Sequence, residues 1–318
     1  MQHFLLSAGA RTLSLKTVFR MGEDAAYDAF RMMRWPETEG EAVCPKCGCY
    51  ETYNITSRRR FKCVGCYHQF SVTSGTIFAS RKLSYTDLLA AIVIFVNGAK
   101  GVSALQVSRD LDVQYKTAFV LSHKLREAMA LEAQGRVLDG VVEVDGAYFG
   151  GYVKPANRKS ERVDRRTLLA QSGKRQSVVV MRERDGDTIT VVAASEAAGV
   201  AAVVANVDPS AVIHADEASH WDKLHGRYET YRINHSEAYS LNGACTNQAE
   251  SFFSRLRRAE AGVHHRIAGD YLNAYAGEMA WREDNRRVSN GTQAEMVARS
   301  AMVSPVSRKW AGYWQRGC

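Results

Sequence analysis

At 318 residues the chain can hold two or three domains, each with its own core, and 46% hydrophobic residues is a globular composition. A net charge of +8 favours a polyanionic partner, while the absence of an apolar run of bilayer length excludes a membrane-spanning role. Seven cysteines, an odd number, suit metal binding in a reducing compartment rather than a disulfide framework.

The first ten residues carry a short apolar patch without a basic leader, so no signal peptide is expected. Residues 1–39 are weakly patterned. A helix is expected over residues 24–33, with Ala25, Tyr27, Phe30 and Met33 on adjoining turns, and Pro36 stops it.

Next comes Cys44-Pro45-Lys46-Cys47, then fifteen residues, then Cys63-Val64-Gly65-Cys66. Two C-x-x-C knuckles at that separation match a four-thiolate zinc ribbon, in which each knuckle turns two sulfurs toward one ion. Cys49 competes with Cys47, but the paired spacing favours Cys47. Tyr53, Ile55, Phe61 and Phe70 are the expected apolar strand positions. A segment this small needs the metal for much of its stability, so a structural Zn²⁺ is expected within a ribbon domain over residues 40–80. Arg58, Arg59 and Arg60 at its tip are candidate phosphate contacts, with a solvated turn as the alternative.

Residues 84–96 read as a buried helix with Ser84 as N-cap and Asp87 at N3. A short helix over residues 103–110, a turn at Leu111-Asp112-Val113 and a longer helix over residues 114–130 make a helix-turn-helix within residues 81–133. Asp112 stands where the turn commonly holds glycine, and aspartate tolerates the left-handed conformation. Gln114, Tyr115, Lys116 and Thr117 at the start of the second helix, and Lys124 further along, are placed to meet DNA. An ordinary helical hairpin is the alternative.

The largest expected domain spans residues 134–288, with residues 289–318 as a helical tail. It opens on Val141-Val142-Glu143-Val144-Asp145-Gly146, a β-branched run that reads as a buried strand. A carboxylate buried there without a partner is expensive, and Glu143 and Asp145 share one face. After it, Lys154, Arg158, Lys159, Arg162, Arg165, Arg166, Lys174 and Arg175 outweigh Glu161 and Asp164. That loop is either a solvated charge run or a clamp on a phosphate backbone. Strands follow over residues 177–181 and 189–194, joined by a turn at Asp185-Gly186-Asp187. Then come a small-residue helix over residues 197–205, a strand over 211–216, a short helix over 217–224 and a strand over 231–234. Two long helices close the domain, one from Asn247 with Ala249, Phe252, Phe253 and Leu256 as its stripe, the other over residues 270–287.

Acids therefore sit in the first strand (Asp145), at the end of the fourth (Asp216) and early in the penultimate helix (Glu250). This order is that of an α/β RNase H-like domain with a mixed five-stranded sheet and three acids around two Mg²⁺ (or Mn²⁺) ions. Asn247, three residues before Glu250, is a neutral oxygen ligand or orients the substrate. Asp216 as a helix N-cap and Glu250 as a surface acid are the alternatives. Glu143 and Glu217 lie beside the named acids.

The chain resembles bacterial insertion-sequence transposases that join a zinc ribbon and helix-turn-helix to a DDE domain. The matching residues are the two cysteine knuckles, Val144-Asp145-Gly146-Ala147-Tyr148-Phe149-Gly150-Gly151 and His214-Ala215-Asp216-Glu217. They continue in the run from Thr246-Asn247 through Glu250 to Arg255-Leu256-Arg257-Arg258, in His264-His265, in Tyr271-Leu272 and in Trp281-Arg282-Glu283-Asp284-Asn285. The resemblance implies Mg²⁺-dependent cleavage at inverted element ends and joining of the freed 3′-OH to target DNA. It places the metal-binding acids on Asp145, Asp216 and Glu250, with Asn247 beside them. Arg255, Arg258, His264 and His265 become candidate DNA contacts. The implied partners are double-stranded DNA and further copies of the chain, in a cytoplasmic, nucleoid-associated setting. A non-catalytic DNA-binding regulator and a nuclease of the same fold are the alternatives.

Overall fold

A computed structural model describes residues 4–150, 156–162, 175–233 and 245–316. The chain divides into two compact units, one of residues 1–132 with 285–318, the other of residues 133–284.

The first unit begins with α1 (Leu15–Arg34), capped by Ser14. Its start lies nine residues ahead of the expected helix because two helical pieces join across Gly22, whose φ of 77° breaks the apolar periodicity. The ribbon follows as β1 (Thr52–Ile55), β2 (Arg60–Cys63) and β3 (Gln69–Phe70), paired antiparallel in that order. Phe61 and Phe70 are buried and meet the ring of Trp35 at 5.6 and 6.3 Å. Tyr53 departs from the expected apolar set. It is 62% exposed, because this short sheet buries one face only.

Helix α2 (Tyr85–Asn97) is capped by Ser84, whose hydroxyl accepts the N–H of Asp87. Its ten buried residues wrap all round, so it is a core helix. Helices α3 (Ala104–Asp110) and α4 (Tyr115–Glu132) follow, and Asp112 between them has the expected left-handed φ of 50°. Helix α8 (Asn290–Val303) belongs to this unit and packs against α1, α2 and α4 through Ala294, Val297, Ala298, Ala301 and Met302. Trp310 beyond it stacks on His123 at 4.2 Å. No helix among the described residues is long and apolar enough to cross a membrane.

The second unit is a five-stranded mixed sheet. In chain order it has β4 (Val141–Gly150), β5 (Arg175–Glu183), β6 (Thr188–Ala193), α5 (Glu196–Asn206), β7 (Val212–Asp216), a 3-10 segment (Ser219–Gly226) and β8 (Glu229–Ile233). Two helices close it: α6 (Asn247–Ala259), which runs into a π turn at Glu260–His264, and α7 (Gly269–Asp284). The spatial order is β6-β5-β4-β7-β8, with the first three antiparallel and β7 and β8 parallel to β4. This is the mixed five-stranded RNase H-like sheet that the element order implies. The segment expected as a helix at 217–224 is the 3-10 segment, and the last helix stops at Asp284.

Each face of β4 buries a different core, as the period of two requires. Val142 and Val144 join Val179, Met181, Val203, Ile213, Ala215 and Trp221. Ala147 and Phe149 join Val178, Val180, Phe252, Phe253, Leu256 and Met279. Glu143 and Asp145 lie on the second face, toward α6. Burying each of these aromatic side chains contributes about 1.5–3 kcal/mol, so α6 is held to the sheet mainly by Phe252, Phe253 and Leu256.

Candidate active site and nucleic-acid surfaces

The ladder between β4 and β7 pairs Val144 with Ala215, so Asp145 and Asp216 stand side by side one step beyond it. Neighbours in a parallel pair project to the same face. Both side chains are half-buried. Asp145 Oδ1 accepts the N–H of Gly146 at 2.7 Å. Burial pushes its carboxyl up to about 7, and the charges of Asp216, Glu196 and Glu250 push the same way. Asp216 Oδ1 accepts the N–H of Ala218 at 3.2 Å, a turn contact that uses one of its oxygens. Glu250 lies in the first turn of α6 and Asn247 opens that helix, exposed. Such a centre of acids calls for a cation. Among the described residues, however, the acids form no set of three with all ligand atoms within 4.8 Å.

Glu143 has a different position. It is 1% exposed and accepts the backbone N–H of Gln248 at 2.7 Å and of Ala249 at 3.2 Å. Its other oxygen accepts Arg184 Nε at 3.0 Å. A carboxylate at a helix N-terminus satisfies amides that have no partner within the helix. Glu143 therefore docks the start of α6, which carries Asn247 and Glu250, onto the strand that carries Asp145. His214 Nδ1 lies 3.1 Å from both the N–H of Cys245 and Arg184 Nη2, and burial followed by the Arg184 charge lowers its pKa.

Two acids near the centre were differently legible. Glu217 is exposed. Glu196 gives no signal in the sequence, where an acid after Ser195 reads as an ordinary helix start.

In the ribbon, the sulfurs of Cys44, Cys47, Cys63 and Cys66 all lie within 4.8 Å of one another. Cys44 to Cys66 and Cys47 to Cys63 are each 3.6 Å. A tetrahedral zinc with bonds of about 2.3 Å puts its sulfurs about 3.8 Å apart, so the four thiols fit that ion. Cys49 stands outside the set, with its thiol directed to the carbonyl of Glu51.

The candidate DNA contacts fall into three groups. Arg58 and Arg60 are exposed, but Arg59 pairs with Glu23 and Asp24 and lies over the ring of Tyr27. Glu23 in turn accepts the first amides of α2, from Tyr85 and Thr86, so Arg59 belongs to the scaffold. Gln114, Tyr115, Lys116 and Thr117 are exposed at the start of α4, and Lys124 is half-buried. The indole N–H of Trp314 donates to the Lys116 carbonyl at 3.3 Å, and a cavity of about 550 Å³ lies between this part of α4, residues 78–83 and the C-terminal segment. In the second unit, Arg158 and Lys159 are exposed, with Arg158 3.8 Å from Glu161. Arg258 and His265 are exposed, and the His264 ring meets Tyr275 edge-on at 4.5 Å. Arg255 is tied to Glu283 of α7. Lys154, Arg165, Arg166 and Lys174 lie outside the described residues.

A family model described as the ISXO2-like transposase domain matches residues 137–284, and one described as the transposase zinc-ribbon domain matches residues 21–69. No curated protein matches the chain. Among solved structures, the crystal structure of the Mos1 strand transfer complex matches 67% of this chain and 78% of that one. The match has 10% identity and a TM-score of 0.19, too loose a likeness to carry weight.

Proposed function

Because the chain belongs to the insertion-sequence transposases that carry a zinc ribbon and an ISXO2-like transposase domain, we propose that it binds the ends of its own element, cleaves there and joins the freed 3′-OH to target DNA. Asp145, Asp216 and Glu250 hold two divalent cations, Mg²⁺ or Mn²⁺, and Asn247 adds a neutral oxygen. When bound, the cations supply an activated oxygen nucleophile and stabilise the leaving oxygen of an in-line displacement. The ladders of β4 with β5 and β7 keep Asp145 at the sheet centre, and the N–H of Gly146 orients its carboxylate. Glu143 fixes the start of α6, and with it Asn247 and Glu250. The zinc stiffens the ribbon and takes no part in the chemistry.

The observation that carries this reading is the placement of Asp145 and Asp216 side by side on parallel strands, with the Asp145 carboxyl raised to about 7 by burial and by the acids around it. Arg58, Arg60, Gln114, Tyr115, Lys116, Thr117, Lys124, Arg158, Lys159, Arg258, His264 and His265 are the surfaces assigned to DNA. Transposition brings two element ends together, so the working form is at least a dimer, acting on DNA in the cytoplasm.

The test gives the purified protein DNA carrying the flanking element ends, with Mg²⁺ or Mn²⁺. Nicks at the element boundary and joined products are expected. Nicks without joining would make the protein a nuclease, and binding with neither would make it a regulator.

A further inference from the structure

Gly146 follows Asp145 on β4, and the space a side chain would take there is filled. A Cβ would lie 2.3 Å from Cγ of Glu196 and 2.8 Å from its Cδ. Gly146 is not among the residues with positive φ, so the backbone does not call for glycine. The Glu196 side chain does.

Glu196 begins α5 behind its N-cap Ser195. Its Oε2 lies 3.5 Å from Nε2 of His220, an ion pair when that imidazole carries a proton and not a hydrogen bond. The Glu196 charge acts on Asp145, and that of Asp216 acts on Glu196. The side chain, although it comes from a helix, therefore lies against β4 at Gly146, one residue past Asp145. Arg175 also acts on it, and lies over the ring of Tyr148 at 4.6 Å.

We propose that Glu196, seated over Gly146 beside Asp145, is a fourth acid of the divalent-cation centre and raises its affinity for the ions. This rests on the assignment of that centre to Asp145, Asp216 and Glu250. A carboxylate that served only the N-terminus of α5 would favour the helix and leave cation affinity unchanged.

The test is Mn²⁺ binding to the full-length, zinc-loaded protein without DNA, read from the EPR signal of free Mn²⁺. The variants are Asp145→Asn, Glu196→Gln, Glu196→Ala, Gly146→Ala and the double Gly146→Ala/Glu196→Ala, with thermal unfolding run on each. Glu196→Gln and Gly146→Ala are each expected to weaken binding on the order of 10–100-fold, the cost typical of a group that supports metal ligands. Gly146→Ala should add no loss to Glu196→Ala, because the side chain it displaces is already gone. If Asp145→Asn weakens binding while Glu196→Gln does not, the role of Glu196 is overturned and the centre stands. If Asp145→Asn has no effect either, or the wild type binds no Mn²⁺, both fall.

Discussion

Glu143 Oε2 accepts the backbone N–H of Gln248 at 2.7 Å and of Ala249 at 3.2 Å, tying the central strand of the sheet to the first turn of the helix that carries Glu250. The acid two residues before Asp145 thus builds the site without facing its chemistry. Glu143→Ala would leave the amides of Gln248 and Ala249 and the Nε of Arg184 without their acceptor. A loss of about 2–4 kcal/mol is expected, measured by denaturant unfolding. A loss below 1 kcal/mol would show that α6 is placed by Phe252, Phe253 and Leu256 alone.

The Asp145 carboxyl, raised to about 7, makes cation binding depend on pH. Below 7 the folded protein holds a proton there that a cation must displace. Affinity for Mn²⁺ should therefore be about tenfold weaker at pH 6 than at pH 8. Without cations, the folded state binds more protons than the unfolded state between about pH 4 and pH 7, so stability falls as pH rises through that window and is level above it. Titration calorimetry at the two pH values checks the first point. Equal affinities would contradict it.

The four ribbon cysteines should hold one zinc per chain, and Cys63→Ser should lose it. Because a unit this small depends on its metal, loss of zinc should open residues 44–70 to proteolysis. Metal content and a timed protease digest read both effects, and a ribbon that stays protected without zinc would refute the second.

Arg59 should behave unlike its neighbours. Arg59→Ala is expected to cost about 1 kcal/mol of stability and to leave the salt dependence of DNA binding unchanged, since Glu23 and Asp24 already engage that guanidinium. Arg58→Ala and Arg60→Ala should each reduce the salt slope by about one. A drop in slope for Arg59→Ala would return it to the DNA surface.

Much of this architecture was legible because local rules and packing agree. The cysteine spacing specifies the ribbon, Ser84 caps its helix as expected, and the β-branched run around Asp145 forms the central strand. The order of acids along the chain was also legible. Their neighbours were not. Glu196 comes from a helix start, and only the three-dimensional fit against Gly146 brings it beside the strand of Asp145. Glu143 acts through amides far along the chain. Arg59 looked like the rest of a basic triplet until α1 supplied Glu23, from a helix whose beginning the left-handed Gly22 concealed.

The most direct measurement is the rate of strand cleavage at an element end in Mg²⁺, for the wild type and for Asp145→Asn, Asp216→Asn and Glu250→Gln, with end binding measured in parallel. Each substitution should slow cleavage by about a thousandfold or more, a loss of about 4 kcal/mol of transition-state stabilisation, while end binding stays within a few-fold of wild type. Cleavage that survives in any one of the three would contradict a centre built on those carboxylates.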